Sequence, residues 1–259
     1  MTNLHGSPIW YELMTNAPDQ AEAFYTQVMN WSFAVSPDGS KDGYRAFTAV
    51  DGEGVGGVMS TPGPAAIWAV YFSVTDVDTA AARVRDLGGH VHLGPRDIPG
   101  VGRFAFVADP QGATFYLMRG ADNAASTAFA PARTGHCSWN ELVTSDQNAA
   151  LAFYTALFGW KKAGAMPMDA MGDYTFIGHQ DQMIGAMMNS PQPGTAPFWN
   201  FAFTIPDIDR AAQQVQAAGG TIRLGPVALP GDQGDWMIQI DDPHGARVMF
   251  TGKRIQEAT

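Results

Sequence analysis

The chain alternates short apolar runs with one kind of amphipathic helix. Ile9 to Met14 is a run of large apolar residues broken by one glutamate, and it reads as a strand. Pro18 to Val28 places Ala21, Phe24, Tyr25 and Val28 on one helical stripe. Three strand-like runs follow at Ser32–Ser36, Tyr44–Val50 and Val55–Ser60. The order then repeats. Ala66–Val74 reads as a strand, and Val77–Leu87 as a helix opened by Asp76 as N-cap and closed by Gly88. Strands near His90–Gly94, Arg103–Ala108 and Ala113–Met118 complete the second unit. The pattern is βαβββ, twice.

A whole second copy follows about 130 residues later. Trp10-Tyr11-Glu12-Leu13 returns as Trp139-Asn140-Glu141-Leu142, Ala23-Phe24-Tyr25 as Ala152-Phe153-Tyr154, and Trp31 as Trp160. Trp68 matches Trp199, Gly88-Gly89 matches Gly219-Gly220, and Leu93-Gly94-Pro95 matches Leu224-Gly225-Pro226. Asp109-Pro110-Gln111-Gly112-Ala113 matches Asp242-Pro243-His244-Gly245-Ala246. The spacing widens only in turn-rich places, as loop insertions require. Gly120 to Arg133, rich in Ala, Ser, Thr and Pro without apolar periodicity, reads as a linker. The expected division is a domain over 1–120, a linker over 121–133 and a domain over 134–259. The expected fold class is α+β, four βαβββ modules forming two tandem cup-shaped, open-barrel domains. Strand alternation turns Tyr11 and Leu13 toward the helix and leaves Trp10, Glu12 and Met14 on the concave side; Phe72 and Val74 oppose Ala69, Tyr71 and Ser73 in the same way.

The 259 residues suffice for two such cores. The longest apolar run, Ala65 to Phe72, is far shorter than the roughly 18 residues a membrane helix needs. Met1 to Leu13 carries no basic segment followed by an apolar one, so the expectation is a cytoplasmic protein without a signal peptide. Fifteen basic against 25 acidic residues give a net charge of −10, which disfavours nucleic acid and anionic membranes as partners. The single cysteine, Cys137, excludes an intramolecular disulfide and reads as a buried, inert thiol.

The fourfold plan, with Ala-Phe-Tyr followed by Gly159-Trp160 in the second copy, the Gly-Gly pairs and the Asp-Pro-x-Gly turns, resembles the glyoxalase/bleomycin-resistance/extradiol dioxygenase superfamily, also called vicinal oxygen chelate. The resemblance spans essentially the whole chain and implies the fold; it does not choose among the superfamily's lyases, dioxygenases, epimerases and metal-free drug binders. In its enzymes a divalent metal is held by His, Gln or Glu at the start of first strands and on last strands of the modules. Here the first-strand positions fall at Trp10, Ala69, Trp139 and Asn200, and the last-strand ones near Met59, Tyr116, Met188 and Met249. Indole, methyl and thioether groups do not replace imidazole or carboxylate on such ions. No cofactor is therefore expected, a displaced divalent metal being the exception that the enzyme reading keeps open.

Glu12 and Glu141 recur at one place in both copies, as buried acid–base groups or cation anchors, or as salt-bridged strand residues. Arg247 is placed to face the second cup and neutralise Glu141. Trp68 and Trp199 read as core, and Trp10 and Trp139 as surfaces for a flat or cationic ligand. Met14, Met59, Met118, Met188 and Met249 read as core filler or as a deformable lining, which Tyr71, Tyr116 and Asn200 would complete. His90 and His92 share a strand face without a partner carboxylate and read as surface residues; Gly54-Val55-Gly56-Gly57 lacks the Lys-Ser/Thr of a phosphate loop. The matched loops Pro95–Gly102 and Pro226–Gly234 read as connections or as a gate at the rim.

Two readings stand. One is a metal-free protein that binds a small planar or cationic molecule in aromatic-lined cups, as a monomer with two cups or a homodimer. The other is an enzyme of glyoxalase (lyase), isomerase or dioxygenase type, using a displaced metal or Glu12 and Glu141.

Overall fold

The computed structural model describes residues 2–35, 43–63, 65–169, 172–231 and 234–255. Ser36, the end of one expected strand, and residues 232–233 of the expected Pro226–Gly234 loop lie outside them. The first half contains β1 (Pro8–Thr15), α1 (Pro18–Met29), β2 (Ser32–Val35), β3 (Arg45–Thr48) and β4 (Gly54–Ser60). It continues with β5 (Ile67–Ser73), α2 (Val77–Asp86), β6 (His90–Ile98), β7 (Gly102–Ala108) and β8 (Thr114–Gly120). The second half repeats the order with β9 (Cys137–Thr144), α3 (Gln147–Phe158), β10 (Lys161–Pro167), β11 (Asp173–His179) and β12 (Gln182–Asn189). It ends with β13 (Phe198–Asp207), α4 (Ile208–Ala217), β14 (Thr221–Ala228), β15 (Asp235–Asp241) and β16 (Arg247–Lys253). Four βαβββ modules thus stand where the periodicity puts them.

Local chemistry sets the helix boundaries. Asp76, Asp146 and Asp207 each accept backbone N–H groups at the first turn of α2, α3 and α4. Helix α1 has no side-chain cap and starts instead on Pro18, whose fixed φ suits the first turn. The ends of α1 and α3 are closed by left-handed Asn30 and Gly159. None of the described helices is long and apolar enough to cross a membrane.

The strands form two unclosed, mixed eight-stranded sheets, ordered β2-β3-β4-β1-β5-β8-β7-β6 and β10-β11-β12-β9-β13-β16-β15-β14. In every module the first strand runs parallel to the last, Glu12 opposite Gly57 and Glu141 opposite Ala186 among them. Strand β6 carries a register shift between Val91 and Leu93, so His90 and His92 do not sit on an undisturbed ladder; both are exposed.

By packing, the chain divides into two compact units, and each draws on both sequence repeats. One comprises Met1–Ile9, Ala69–Ser126 and Trp139–Asn200; the other comprises Trp10–Trp68, Thr127–Ser138 and Phe201–Thr259. In the first, Phe72 meets Phe115, Phe158, Trp160 and Trp199 at ring distances of 5.0–5.6 Å. In the second, Phe203 meets Tyr11, Trp31 and Trp68 at 5.1–5.5 Å. Trp68 and Trp199 are core residues, each donating its indole N–H to a buried tyrosine, Tyr25 and Tyr154 respectively. Tyr11, Leu13 and Phe72 are fully buried in these cores, and Glu12, Met14, Ala69, Tyr71 and Ser73 on the alternate strand faces are buried as well.

The segments before β1 and β9 pin the matched tryptophans. The Trp160 indole donates to the Gly6 carbonyl at 3.0 Å, and the Trp31 indole to the Gly135 carbonyl at 2.9 Å. Both glycines are left-handed, with φ of 89° and 84°, and a Cβ on either would come within 3 Å of a neighbouring Cβ. The stretch expected as a linker is irregular but packed: Ala128 is fully buried, and buried His136 bonds the Thr127 carbonyl and the Asp51 carboxylate. Cys137 is a buried free thiol.

Candidate functional site

Within the first unit, β9 presents Trp139 and Glu141 on one face, while Asn140 between them turns inward to the Ile184 carbonyl. Tyr174 of β11 stands over that face. The Trp139 indole N–H donates to the Tyr174 hydroxyl at 2.9 Å, and this hydroxyl donates to Oε2 of Glu141 at 2.8 Å. Buried Asn200, at the start of β13, lies near the same carboxylate and favours its charged form. Burial pushes the Glu141 carboxyl above the ordinary glutamate range, and the bond from Tyr174, with Asn200 nearby, opposes that rise without cancelling it. Burial also raises the Tyr174 hydroxyl, helped by the charge of Glu141, so the tyrosine remains a neutral donor.

The second unit holds the counterpart from the first repeat. The Trp10 indole donates to the Tyr44 hydroxyl at 2.8 Å, and Glu12 is 2% exposed on the same strand. Gly57, the register partner of Glu12, lies beneath that hydroxyl: a methyl group there would come within 2.1 Å of it. Met14 is buried two residues further along β1.

Tyr71 and Tyr116 also come together, stacked at 4.2 Å with a 6° angle between the rings, with Phe106 at 4.7 Å from Tyr116. Met118 and Met249 are buried. Arg247 departs from its expected role. Its Nε donates to Asp241 at 3.0 Å, Arg223 shares that carboxylate, and Glu141 is engaged by Tyr174 instead. The reason is local: Asp241 is the register neighbour of Arg247 on the adjacent strand. The sequence reading also lacks Tyr44 and Tyr174, whose signal was available. Each is a lone tyrosine at the start of a β3-type strand, and the two recur at nearly the repeat spacing.

The sequence model of the Glyoxalase/Bleomycin resistance protein/Dioxygenase superfamily matches residues 8–117 and again 133–250. The chain belongs to this superfamily. It is 32% identical to a Mycobacterium tuberculosis protein named "Putative glyoxylase CFP32", over 93% of this chain and 92% of the relative. It is 33% identical to the Streptomyces "Anthracycline biosynthesis protein DauV", over 93% and 91%. Among solved structures it resembles the Mn(II)-bound glyoxalase from Novosphingobium aromaticivorans with a TM-score of 0.66 at 19% identity, covering 98% of this chain and 84% of that one. Homoprotocatechuate 2,3-dioxygenase from Arthrobacter globiformis matches with a TM-score of 0.68 at 18% identity, over 97% and 81%. At these identities the structures share the fold alone.

The positions that the resemblance implies for a metal hold side chains that do not suit one. They carry Trp10, Ala69, Trp139 and Asn200 on first strands and Met59, Tyr116, Met188 and Met249 on last strands. The only carboxamide in that set, Asn200, lies near Glu141. Among the described residues no three His, Cys, Asp or Glu side chains converge as a metal centre requires.

Proposed function

We propose that this superfamily member binds a small planar organic molecule without a metal ion, with the carboxyl groups of Glu141 and Glu12 as polar anchors. The observation that carries the reading is the fixed carboxyl of Glu141, held by Tyr174 on a strand where the position the resemblance implies for a metal is a tryptophan. A carboxyl raised by burial is either a hydrogen-bond donor to a carbonyl oxygen or, ionised, an anchor for a cation. The part-exposed ring of Trp139 offers a stacking face beside it, with Tyr71, Tyr116 and Met118 of the same unit as the proposed apolar lining; in the other unit Trp10 stands on the strand of Glu12, with Met14 and Met249 as the proposed lining. The relatives named for anthracycline biosynthesis support a flat, fused-ring ligand.

The test is titration of the chelator-treated protein with a fused-ring quinone probe, followed by tryptophan fluorescence. Binding without metal is expected, weakened about tenfold in Glu141→Gln, the loss of one charge-assisted hydrogen bond. Binding that appears only after a divalent ion is added overturns the proposal.

A second reading is favoured by the raised Glu141 carboxyl alone: general acid–base catalysis on the bound molecule. Glu141→Gln then lowers turnover by about 100-fold or more while affinity changes little.

A further inference from the structure

We infer that Tyr174 is a positioning residue for Glu141, and that Trp139 serves the site chiefly by aiming the Tyr174 hydroxyl. The inference rests on the reading of Glu141 as the polar group of the site. The direction of the chain follows from donor chemistry. An indole N–H donates and cannot accept. The Tyr174 oxygen therefore receives the Trp139 hydrogen at 2.9 Å, and its own single hydrogen is left for Oε2 of Glu141 at 2.8 Å. One carboxylate oxygen is thereby fixed by a neutral donor, and the carboxyl plane is set for whatever meets the other.

The first repeat supports this independently. There Trp10 holds Tyr44 in the same way at 2.8 Å, and the space for the hydroxyl is kept by Gly57, directly across the ladder from Glu12. Two copies that have diverged elsewhere both retain tryptophan, glutamate and the tyrosine that the tryptophan holds. The recurrence also accounts for the Trp-x-Glu spacing: alternation puts both side chains on one strand face, so a tyrosine held by the first is carried toward the second. Among the described residues the groups near Glu141 are Trp139 of its own strand, Tyr174 of β11 and Asn200 of β13; of these the tyrosine is titratable, and its hydroxyl is pushed up.

The test reads the protonation of Glu141 directly, in the full chain without ligand. The carboxyl carbon is followed by NMR in protein labelled with carbon-13 glutamate, and Glu141→Gln identifies the signal. Tyr174→Phe removes a donor to the charged form and is expected to raise the titration midpoint by about one pH unit. Replacing Tyr174 with 3-fluorotyrosine, a stronger donor of nearly the same size, must lower it; a merely structural tyrosine would not give opposite shifts. If Tyr174→Phe does not fold, Trp139→Phe takes its place and must also raise the midpoint. A midpoint unmoved in the folded variants overturns the inference. Shifts as expected in a protein that binds no quinone probe overturn the ligand proposal and leave the positioning role standing. Probe binding with an unmoved midpoint does the reverse.

Discussion

Tyr154 donates its buried hydroxyl to Oδ2 of Asp109 at 3.2 Å, joining a helix of the second repeat to a turn of the first. Oδ1 of the same aspartate accepts the backbone N–H groups of Gln111, Gly112 and Ala113, so one carboxylate shapes its turn and anchors the tyrosine. The other unit contains the mirror arrangement, Tyr25 donating to Asp242, whose Oδ1 holds the matching turn. A tyrosine of each repeat thus closes on the Asp-Pro-x-Gly turn of the other.

Removing one such hydroxyl is costly. Tyr154→Phe takes a donor from buried Asp109 and an acceptor from the Trp199 indole. A loss of about 1–3 kcal/mol in urea denaturation is expected, and Tyr25→Phe should lose a similar amount through Asp242 and Trp68. An effect below about 0.5 kcal/mol in both would show these bonds to be incidental.

The reciprocal cores make the two repeats interdependent. Residues 1–120 contain Trp31 but not its acceptor Gly135, and residues 134–259 contain Trp160 but not Gly6. Expressed apart, each should lack cooperative unfolding by circular dichroism, and mixing the two should restore it. A separate half that melts in one sharp transition on its own would contradict this account.

Gly57→Ala should displace Tyr44 and so break the Trp10–Tyr44 bond in the first repeat. Overpacking of this kind costs about 1–3 kcal/mol. The Glu141 titration in the second repeat should not change, which separates a local effect from general loosening. Thermal unfolding and the carboxyl NMR signal read the two parts.

Stability should fall in acid through His179. Burial, with the nearby charge of His5, holds its imidazole below the ordinary value of 6.5. The unfolded chain therefore takes up a proton at a pH where the folded one does not, and stability rises with pH across that window. Between about pH 7.5 and about pH 5 the wild type should lose more stability than His179→Asn. Equal losses in urea titrations at the two pH values would remove His179 as the cause.

How much of this was legible in the sequence differs by level. The strand and helix periods, the Asp caps and the repeat spacing gave four βαβββ modules, because each is encoded within a few neighbouring residues. The identities at the positions the resemblance implies for a metal were equally legible, since a tryptophan or methionine is a poor ligand wherever it points. Alternation also placed Trp139 and Glu141 on one face. It did not find Tyr174, because which tyrosine reaches a carboxylate depends on the register of three strands and on the packing that aims each side chain.

Arg247 shows the same limit from the other side: charge made it a partner for Glu141, and cross-strand register gave it Asp241. The sequence by itself determined the duplication and the elements, and it places poor metal ligands at the positions the resemblance implies for a metal. The tertiary structure decided that each compact unit is built from both repeats, that Tyr154 meets Asp109 and Tyr25 meets Asp242, and that Tyr174 is aimed at Glu141. The physical reason is one of range. Periodicity and capping are settled between residues a few positions apart, whereas a hydrogen bond between distant segments exists only once the whole chain has brought donor and acceptor within 3 Å or so of each other.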